Sequence, residues 1–438
     1  GRRTDGRVGR RVDREALMDR AAITVVPEAA PAPGPRRRGA GLHALRSTPF
    51  RWYFAGQIAS ASGTFVQQTA IAWLVLQMTG SASSLGLVLA AGGVPPLLFG
   101  PWGGVIADRF DLRRLLLTTQ VLLCGLAGAL WVLAATGHAG VPVVLAVSVA
   151  GGFVQIVDSP ARQAFVPQLV PASDLASAAS VNGVVMNSAR VVGPALAGVL
   201  ITAVGTTPCF AVNAASYLFV IVALAVLRPI PGSASRKGGG GLADGLRYAR
   251  TKQQLWLPLA MMALVGLLAF NFPVILPVLA SHTFHGSGGM YSVLSMVLSA
   301  GSVVGSLAVG LVPHPRRVYL VATGAVFGIG LIATAVAPGI VTACICLAVT
   351  GVAAFCFVTL ASTALQLHAD PRYRGRIMAL WVFVYIGTTP IGSVLSGWIC
   401  GSAGPRAALL VGAAACLVAA GGAALVHTPP HPDDPPTG

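Results

Sequence analysis

Charged residues are scarce in this sequence. They make up 10% of the 438 residues, against roughly 25% in a typical globular protein. Hydrophobic residues make up 55% of the chain. A soluble enzyme of this length needs far more charge to cover its surface. The composition therefore excludes a soluble enzyme and predicts a protein that faces lipid.

Lysine is rarer still, and only Lys237 and Lys252 are present. Neither is preceded by glycine and followed by serine or threonine, so the chain has no P-loop and we expect no ATP hydrolysis. The 7 cysteines lie in or beside apolar runs, which is typical of small buried side chains rather than of a zinc site. We predict no enzymatic activity, no metal and no cofactor.

The chain has instead a series of apolar runs of about 20 residues, the length that a helix needs to cross a bilayer. We count twelve runs, at about 53–79, 82–107, 113–136, 139–161, 175–204, 207–227, 254–280, 288–311, 317–337, 339–364, 375–402 and 406–426. A soluble helix this apolar would lack a polar face. The runs predict an all-α integral membrane protein with twelve transmembrane helices.

Basic residues lie on one side of these runs. Of the 29 lysines and arginines, 27 fall before the first run or in the even-numbered loops, while Arg406 lies in an odd-numbered loop and Arg190 inside a run. The positive-inside rule then places both termini in the cytoplasm. The net charge of +16 reflects this topology, so we predict a multi-pass protein of the cell membrane and no nucleic-acid partner.

The longest internal loop divides six runs from six. It contains the only glycine run, followed from Leu242 by a sequence typical of a short interfacial helix. The predicted order is a disordered Arg-rich cytoplasmic tail at 1–48, an N-terminal six-helix bundle at 49–227, a cytoplasmic linker at 228–252, a C-terminal six-helix bundle at 253–427 and a C-terminal tail at 428–438. Because the first tail lacks the apolar core of a signal peptide, we expect the first run to be an uncleaved anchor.

The two halves are weakly alike. Three glycines of the fifth run have the same spacing as three of the eleventh, and the first run of each half is polar and irregular. The polar positions are Gln57, Gln67 and Gln68 in the first run and Asn271, between prolines, in the seventh. Interrupted helices at equivalent positions indicate the central pathway of a secondary transporter. The alternative is that the glycines only allow close helix packing.

A charged motif lies between the second and third runs. It begins at Gly104, continues through Asp108 and Arg109, and ends at the basic pair Arg113 and Arg114. Asp108 ends an apolar helix, where it can accept backbone N–H groups from a neighbouring helix. The alternative is that these residues act only as topological charges, which does not explain Asp108.

Asp158 lies just inside the end of the fourth run, where an unpaired carboxylate is unfavourable. By residue count it is near the level of Arg113. We predict a cytoplasmic lock of Asp108, Arg113 or Arg114, and Asp158 that stabilises an outward-facing state. Asp158→Asn should then abolish net transport and leave folding largely intact.

The fifth run carries Arg190, Gly193, Pro194 and Gly198. Pro194 removes a backbone donor and Gly198 allows close packing, so this helix can bend. Arg190 lies near the bilayer centre, where an isolated cation is unfavourable. Two roles are open for it: contact with a substrate or relay, for which an anionic group is one candidate, or pairing with a carbonyl or polar neighbour.

These motifs together resemble the bacterial efflux branch of the major facilitator superfamily, which includes the enterobactin exporter and macrolide efflux proteins. The loop motif is similar to the cytoplasmic signature of that superfamily, with Asp111 where the family has glycine, and the fifth-run motif is similar to its antiporter motif. The resemblance covers roughly 48–425. It implies two six-helix bundles, alternating access and export driven by protons.

The coupling residue stays open because no Asp or Glu lies near the centre of any run. Coupling would run through Asp108, Asp158 or a histidine at a membrane edge, or be absent. Trp381 and Tyr385 are aromatic candidates for lining a substrate cavity, with packing or interfacial positions as the alternative. We predict a monomeric exporter of a drug-like or siderophore-like small molecule. The alternatives are an importer of the same fold and a non-transporting membrane receptor or scaffold.

Overall fold

The computed structural model describes residues 47–227, 242–310 and 316–426. Within these ranges the chain is helical and has no strand. The first half forms α1 (Thr48–Thr79), α2 (Ala82–Arg109), α3 (Leu112–Ala135), α4 (Val141–Phe165), α5 (Leu175–Val204) and α6 (Thr207–Val226). The second half forms α7 (Leu242–Thr251), α8 (Gln253–Leu268), α9 (Phe272–Val278), α10 (Gly288–Val309), α11 (Arg317–Ala335), α12 (Ile340–His368), α13 (Arg374–Ala403) and α14 (Pro405–Leu425).

Eleven segments of the described chain are long and apolar enough to cross a membrane, and one of them joins α8, α9 and a π-helical turn at Leu279–Thr283. α1 falls short in apolarity, although its 32 residues exceed the length that a bilayer requires. It packs along α5 and α6 and completes a first bundle of six. The predicted all-α membrane fold with two six-helix bundles is confirmed.

Other predictions concern the linker between the two halves and the two terminal tails. The short helix that we expected after the glycine run is α7. The expected disorder of the tails at 1–48 and 428–438 falls on residues outside the described ranges, apart from the start of α1. The boundaries of the predicted domains stay predictions.

Local side-chain chemistry sets the turns between helices. α1 ends at Gly80, which has a φ of 59° and donates its N–H to Leu76 O. Asp111 lies in the next turn, between α2 and α3. It caps the start of α3, because its Oδ1 accepts the N–H of Arg114 at 2.8 Å. The position at which the resembling family has glycine is therefore an N-cap aspartate here.

The seventh spanning segment is broken, as its polar and proline positions predict. α8 ends at Leu268, and the chain restarts as α9 after Asn271, which has φ −91° and ψ 35°. Pro273 has no N–H to donate, which favours a new helix start at this point. The Nδ2 of Asn271 donates to Leu267 O at 2.8 Å and bridges the break.

The matching expectation for the first segment is wrong, since α1 is one continuous helix. Its only proline occupies the first turn, where the missing donor does not matter. Its hydroxyl groups bond to their own helix instead of opening it: Thr64 donates to Ser60 O and Thr69 to Phe65 O, both at 2.9 Å.

Successive spanning segments alternate in direction. Arg109, Arg162 and Arg374 therefore lie at one end of the molecule, which we call the basic end, and Gly80, Gly205 and the other odd-numbered turns lie at the opposite end.

The two bundles meet closely toward the opposite end. α2 packs against α13, and α5 packs against α10. A Cβ on Gly86 would lie 2.4 Å from Ser393 O, and a Cβ on Gly198 would lie 2.6 Å from Ser292 Cβ. These approaches are possible only because the residues are glycines, and they hold the bundles together at this end.

Aromatic residues seal the same end. Trp73 of α1 stacks on Tyr291 of α10, with ring centres 6.3 Å apart, and both residues are buried. Gly288, at the start of α10, lies directly against the Trp73 ring. The opposite end is therefore closed in this conformation.

Candidate functional site

A cavity of about 510 Å³ lies between the two bundles, near the middle of the spanning segments. Every helix of the first bundle contributes to it, together with the α8–α9 break, α10 and α13. The stacked pair Trp73 and Tyr291 lies at its closed side.

Amide and hydroxyl side chains form the wall of the first bundle. Asn213 Nδ2 donates to Gln67 Oε1 at 2.7 Å, and the hydroxyls of Thr64 and Tyr217 are 3.3 Å apart. These two contacts tie α1 to α6. Gln155 also faces this cavity and has no hydrogen-bond partner among the described residues.

Aromatic rings form much of the facing wall. Phe270 and Phe272 flank the α8–α9 break and line the cavity. The Phe270 ring lies 5.3 Å from Phe327, 6.3 Å from Phe355 and 6.2 Å from Tyr385, measured between ring centres. The cluster gives the second bundle a rigid apolar surface toward the cavity.

Arg190 is the only charged side chain that lines the cavity in the described part of the chain. Its guanidinium carbon lies 5.1 Å from the centre of the Phe355 ring, across the gap between α5 and α12. It forms no ion pair or hydrogen bond with any described residue. The cation therefore has an aromatic neighbour but no anionic one.

The predicted pathway residues divide into two groups. Five of them line the cavity, namely Gln67, Gln68, Arg190, Pro194 and Asn271. The other five, which lie outside the lining, are Gln57, Gly193, Gly198, Trp381 and Tyr385.

Helix packing explains the second group. Gly193 lies against Phe65, and Gly198 lies at the seam with α10. Trp381 is buried and stacks almost parallel to Tyr385, at 6.2 Å, so Tyr385 reaches the cavity only through its contact with Phe270. These aromatic side chains take the packing role that we named as the alternative.

Gln57 is buried in α1 with 2% of its surface exposed. Neither its Oε1 nor its Nε2 has a hydrogen-bond partner among the described residues. A buried amide without partners destabilises the conformation in which it occurs.

Asp158 has partners other than those that we predicted. Its Oδ1 accepts hydrogen bonds from Thr119 at 2.7 Å and Gln120 at 2.8 Å, and its Oδ2 pairs with Arg162 one turn along α4. The predicted pairing with Arg113 or Arg114 is wrong for this conformation. An acid and a base four residues apart on a helix are neighbours, so the sequence already contained the signal for Arg162.

Arg113 is occupied elsewhere. Its Nε donates to Leu224 O at 2.7 Å and its Nη2 to Ala225 O at 2.9 Å, which satisfies carbonyls at the end of α6. Asp108 is exposed, and the side chains of Asp108, Arg109 and Arg114 have no ion pair within the described ranges. The structure therefore does not bring the predicted lock residues together, and Gly104 has no close neighbour outside its own helix.

Several polar cavity residues were not predicted from the sequence, among them Asn213, Tyr217 and Gln155. Each interrupts an apolar run, and that interruption was the available signal. No group of three or more His, Cys, Asp or Glu that could hold a metal ion occurs among the described residues.

Two six-helix bundles around a central cavity of this kind define a secondary transporter of the major facilitator type. A sequence model of transmembrane secretion effectors matches residues 39–434. The chain belongs to this family. It is a multi-pass membrane transporter of small molecules rather than an enzyme.

Curated relatives match most of the chain. It is 24% identical to macrolide efflux protein A of Streptococcus pyogenes, over 79% of this chain and 88% of that protein. It is 25% identical to the staphyloferrin A transporter of Staphylococcus aureus, with the same coverage of 79% and 88%. It is 27% identical to the multidrug efflux pump Tap of Mycobacterium tuberculosis, over 83% and 90%.

Solved structures share the fold. One is a bacterial homologue of the human lysosomal transporter Spinster, in an inward-facing and unoccupied conformation. It superposes with a TM-score of 0.71 over 86% of this chain and 96% of that chain, at 13% identity. At this identity the likeness shows the fold alone.

Proposed function

We propose that the protein is a secondary active exporter that moves a drug-like or siderophore-like small molecule out of the cell by alternating access. One observation carries the proposal: a central cavity, closed at the opposite end, lies between two bundles that join mainly through close glycine contacts. The names of two relatives, which are efflux proteins, support the direction.

The described conformation corresponds to an inward-facing state if the basic end is cytoplasmic. The distribution of arginine and lysine supports that orientation, with both termini inside the cell and the protein in the cell membrane. We propose a monomer, because one chain supplies both bundles and the whole cavity.

We propose that the lock residues come together only when the basic end closes. Asp108 is exposed and unpaired within the described chain, and it is the second-last residue of α2. In the outward-facing state it would cap a neighbouring helix, with Arg113 or Arg114 beside it.

Asp158 is our candidate for proton coupling. It is the only buried acidic side chain among the described residues. Both of its carboxylate oxygens are occupied, Oδ1 by the hydrogen bonds from Thr119 and Gln120 and Oδ2 by the ion pair with Arg162. A proton would then reach Asp158 only when the helices around it move.

The test measures the accumulation of a panel of fluorescent drugs in bacterial cells that lack their own efflux pumps. Cells with the wild type should accumulate less of at least one compound than cells with an empty vector, and a protonophore should remove the difference. Asp108→Asn should behave like the empty vector. The control Asp244→Asn, which changes a side chain of α7, should behave like the wild type.

Other outcomes assign other functions. Greater accumulation with the wild type would indicate an importer, and equal accumulation in every arm would favour a non-transporting receptor. An export signal that survives the protonophore would contradict proton coupling but leave export in place.

A further inference from the structure

We infer that the cavity selects a small molecule that carries an anionic group beside an apolar, aromatic part, and that Arg190 binds the anion. The inference rests on the proposed function only in taking this cavity as the substrate site.

The charge of the cavity wall is the first step. Arg190 is charged, and every other described lining residue is neutral. The guanidinium group of an arginine carries a positive charge, so the described lining of the cavity has one positive charge. A cationic substrate would meet an uncompensated like charge in a region of low dielectric, whereas an anionic substrate would neutralise it.

The surroundings of Arg190 are the second step. A cation inside a membrane protein normally pairs with a carboxylate or with backbone carbonyls. Arg190 does neither within the described chain, and its neighbour is the Phe355 ring at 5.1 Å. A cation–π contact stabilises the guanidinium without using its N–H donors. Those donors are therefore available for the oxygens of a carboxylate or a similar anion.

The neighbouring side chains support the same ligand chemistry. Gln68 and Gln155 line the wall of the first bundle, and neither has a hydrogen-bond partner among the described residues. Their amide groups can donate further hydrogen bonds to an anion or to polar groups next to it. Gln67 and Asn213 already bond to each other, at 2.7 Å.

The facing wall defines the rest of the ligand. Phe270, Phe272 and Tyr291 present aromatic surface to the cavity from the second bundle. They suit a flat apolar group. A ligand with an anion at one end and an aromatic body at the other would touch both bundles at once, since Arg190 belongs to the first bundle and these three rings to the second.

The test uses three dansyl compounds that differ only in their end group: dansylglycine with a carboxylate, dansylglycinamide with a neutral amide, and dansyl-ethylenediamine with an ammonium group. Binding to the purified full chain in detergent is measured by dansyl fluorescence, with empty micelles as the blank. The proteins are the wild type, Arg190→Gln, Arg190→Lys and the control Arg372→Gln, which changes an exposed arginine of the α12–α13 turn.

The wild type and Arg372→Gln should bind dansylglycine about 10-fold or more tightly than dansylglycinamide, as expected for a charge-assisted hydrogen bond. The ammonium compound should bind most weakly. Arg190→Gln should lose the preference for the carboxylate while its affinity for the amide stays within about 2-fold, and Arg190→Lys should keep part of the preference.

Four results would overturn the inference. They are equal affinity of the wild type for the three compounds, tighter binding of the ammonium compound, no detectable binding of any compound, and an unchanged carboxylate preference in Arg190→Gln. Binding in detergent needs no proton gradient and no direction. A carboxylate preference in a protein that fails the accumulation test would therefore refute export alone, and equal binding in a protein that exports would refute only the anion site.

Discussion

Asp158 and Arg190 are charges inside helices of the same bundle, yet their surroundings are opposite. Asp158 has 1% of its side chain exposed and accepts from Thr119, Gln120 and Arg162. Arg190 lines the cavity with the Phe355 ring as its neighbour and no anion. A charge satisfied by its own bundle stabilises the fold of this conformation, whereas a charge without a counter-ion is free to bind a ligand.

The largest expected effect follows from opening the Asp158 pair. Asp158→Asn keeps an oxygen acceptor for Thr119 and Gln120 but leaves Arg162 without its counter-ion. We expect the free energy of unfolding to fall by the order of 3 kcal/mol, as for other broken buried pairs. Thermal unfolding of the purified protein measures the change. The sequence alone predicted largely intact folding for this variant, whereas the ion pair with Arg162 predicts a loss of stability.

A double variant separates loss of the pair from loss of the carboxylate. In Asp158→Asn/Arg162→Gln both charges are absent, so part of the lost stability should return. If the double variant is as unstable as the sum of the two single variants, the ion pair contributes nothing and Asp158 acts through Thr119 and Gln120 alone.

Gln57 is buried like Asp158 but is uncharged, and both of its amide atoms lack a hydrogen-bond partner among the described residues. Gln57→Leu should raise the free energy of unfolding by about 1–2 kcal/mol, since it removes unsatisfied polar groups from this conformation. Export should fall if the amide finds partners only in the other conformation. A lower melting temperature would mean that Gln57 already has a partner here, such as water.

A smaller change in stability is expected for Arg190→Gln. The variant loses the contact with Phe355 but also removes a cation from a poorly solvated position, so the free energy of unfolding should change by less than about 1 kcal/mol. Thermal unfolding of purified Arg190→Gln, compared with that of Asp158→Asn, measures this change. A loss of unfolding free energy as large as that of Asp158→Asn would show that Arg190 stabilises the fold. The contrast between Asp158 and Arg190 would then not hold.

The smallest effect concerns an exposed contact at the basic end. Asp370 accepts from Tyr248 at 2.6 Å and pairs with Lys252 at 3.2 Å, and this holds α7 against the α12–α13 turn. Asp370→Asn should increase tryptic cleavage at Arg247 and Arg250 about 2- to 5-fold, the range for a surface ion pair. The matched control is Asp244→Asn, whose partner Arg247 lies within α7 itself. Equal cleavage in both variants would contradict the docking role.

The same contact should resist changes of pH. Hydrogen bonds with Tyr248 and then Lys252 hold the pKa of Asp370 below its usual range, and those with Tyr248 and Asp370 raise the pKa of Lys252. The lowered pKa of Asp370 contributes stability that is lost only as the pH falls through the folded-state pKa of the carboxyl group. The raised pKa of Lys252 contributes stability that is lost only as the pH rises through the folded-state pKa of the amine. In the wild type, α7 should therefore stay docked against the α12–α13 turn from about pH 7 to 9, and tryptic cleavage should show no loss of docking over that range.

Hydropathy and proline positions predicted most of the fold. The apolar runs matched the helices closely because lipid exposure demands near-continuous apolar sequence. Asn271 and Pro273 marked the break in the seventh segment. The sequence identified cavity residues such as Gln67, Gln68 and Arg190, because polar side chains inside apolar runs rarely face lipid.

Contacts between distant segments were not predictable in this way. Gln120 and Asp158 come from different helices, and the depth and rotation of each helix decide whether they meet. The sequence left the role of Trp381 and Tyr385 open, because aromatic side chains suit packing, interfaces and cavities equally well. The Asp158–Arg162 pair was visible in the four-residue spacing, and the expected long-range lock obscured it.

The polar character of α1 affects how the chain enters the membrane during synthesis. A first helix with this many amides and hydroxyls partitions weakly into lipid by itself. The more apolar α2 and the arginines that follow it would retain the nascent chain, with α1 settling against α5 and α6 once these have emerged. Biogenesis of the first bundle is then cooperative. The amides of α1 that line the cavity are tolerated because α1 inserts together with other helices and is not surrounded by lipid on its own.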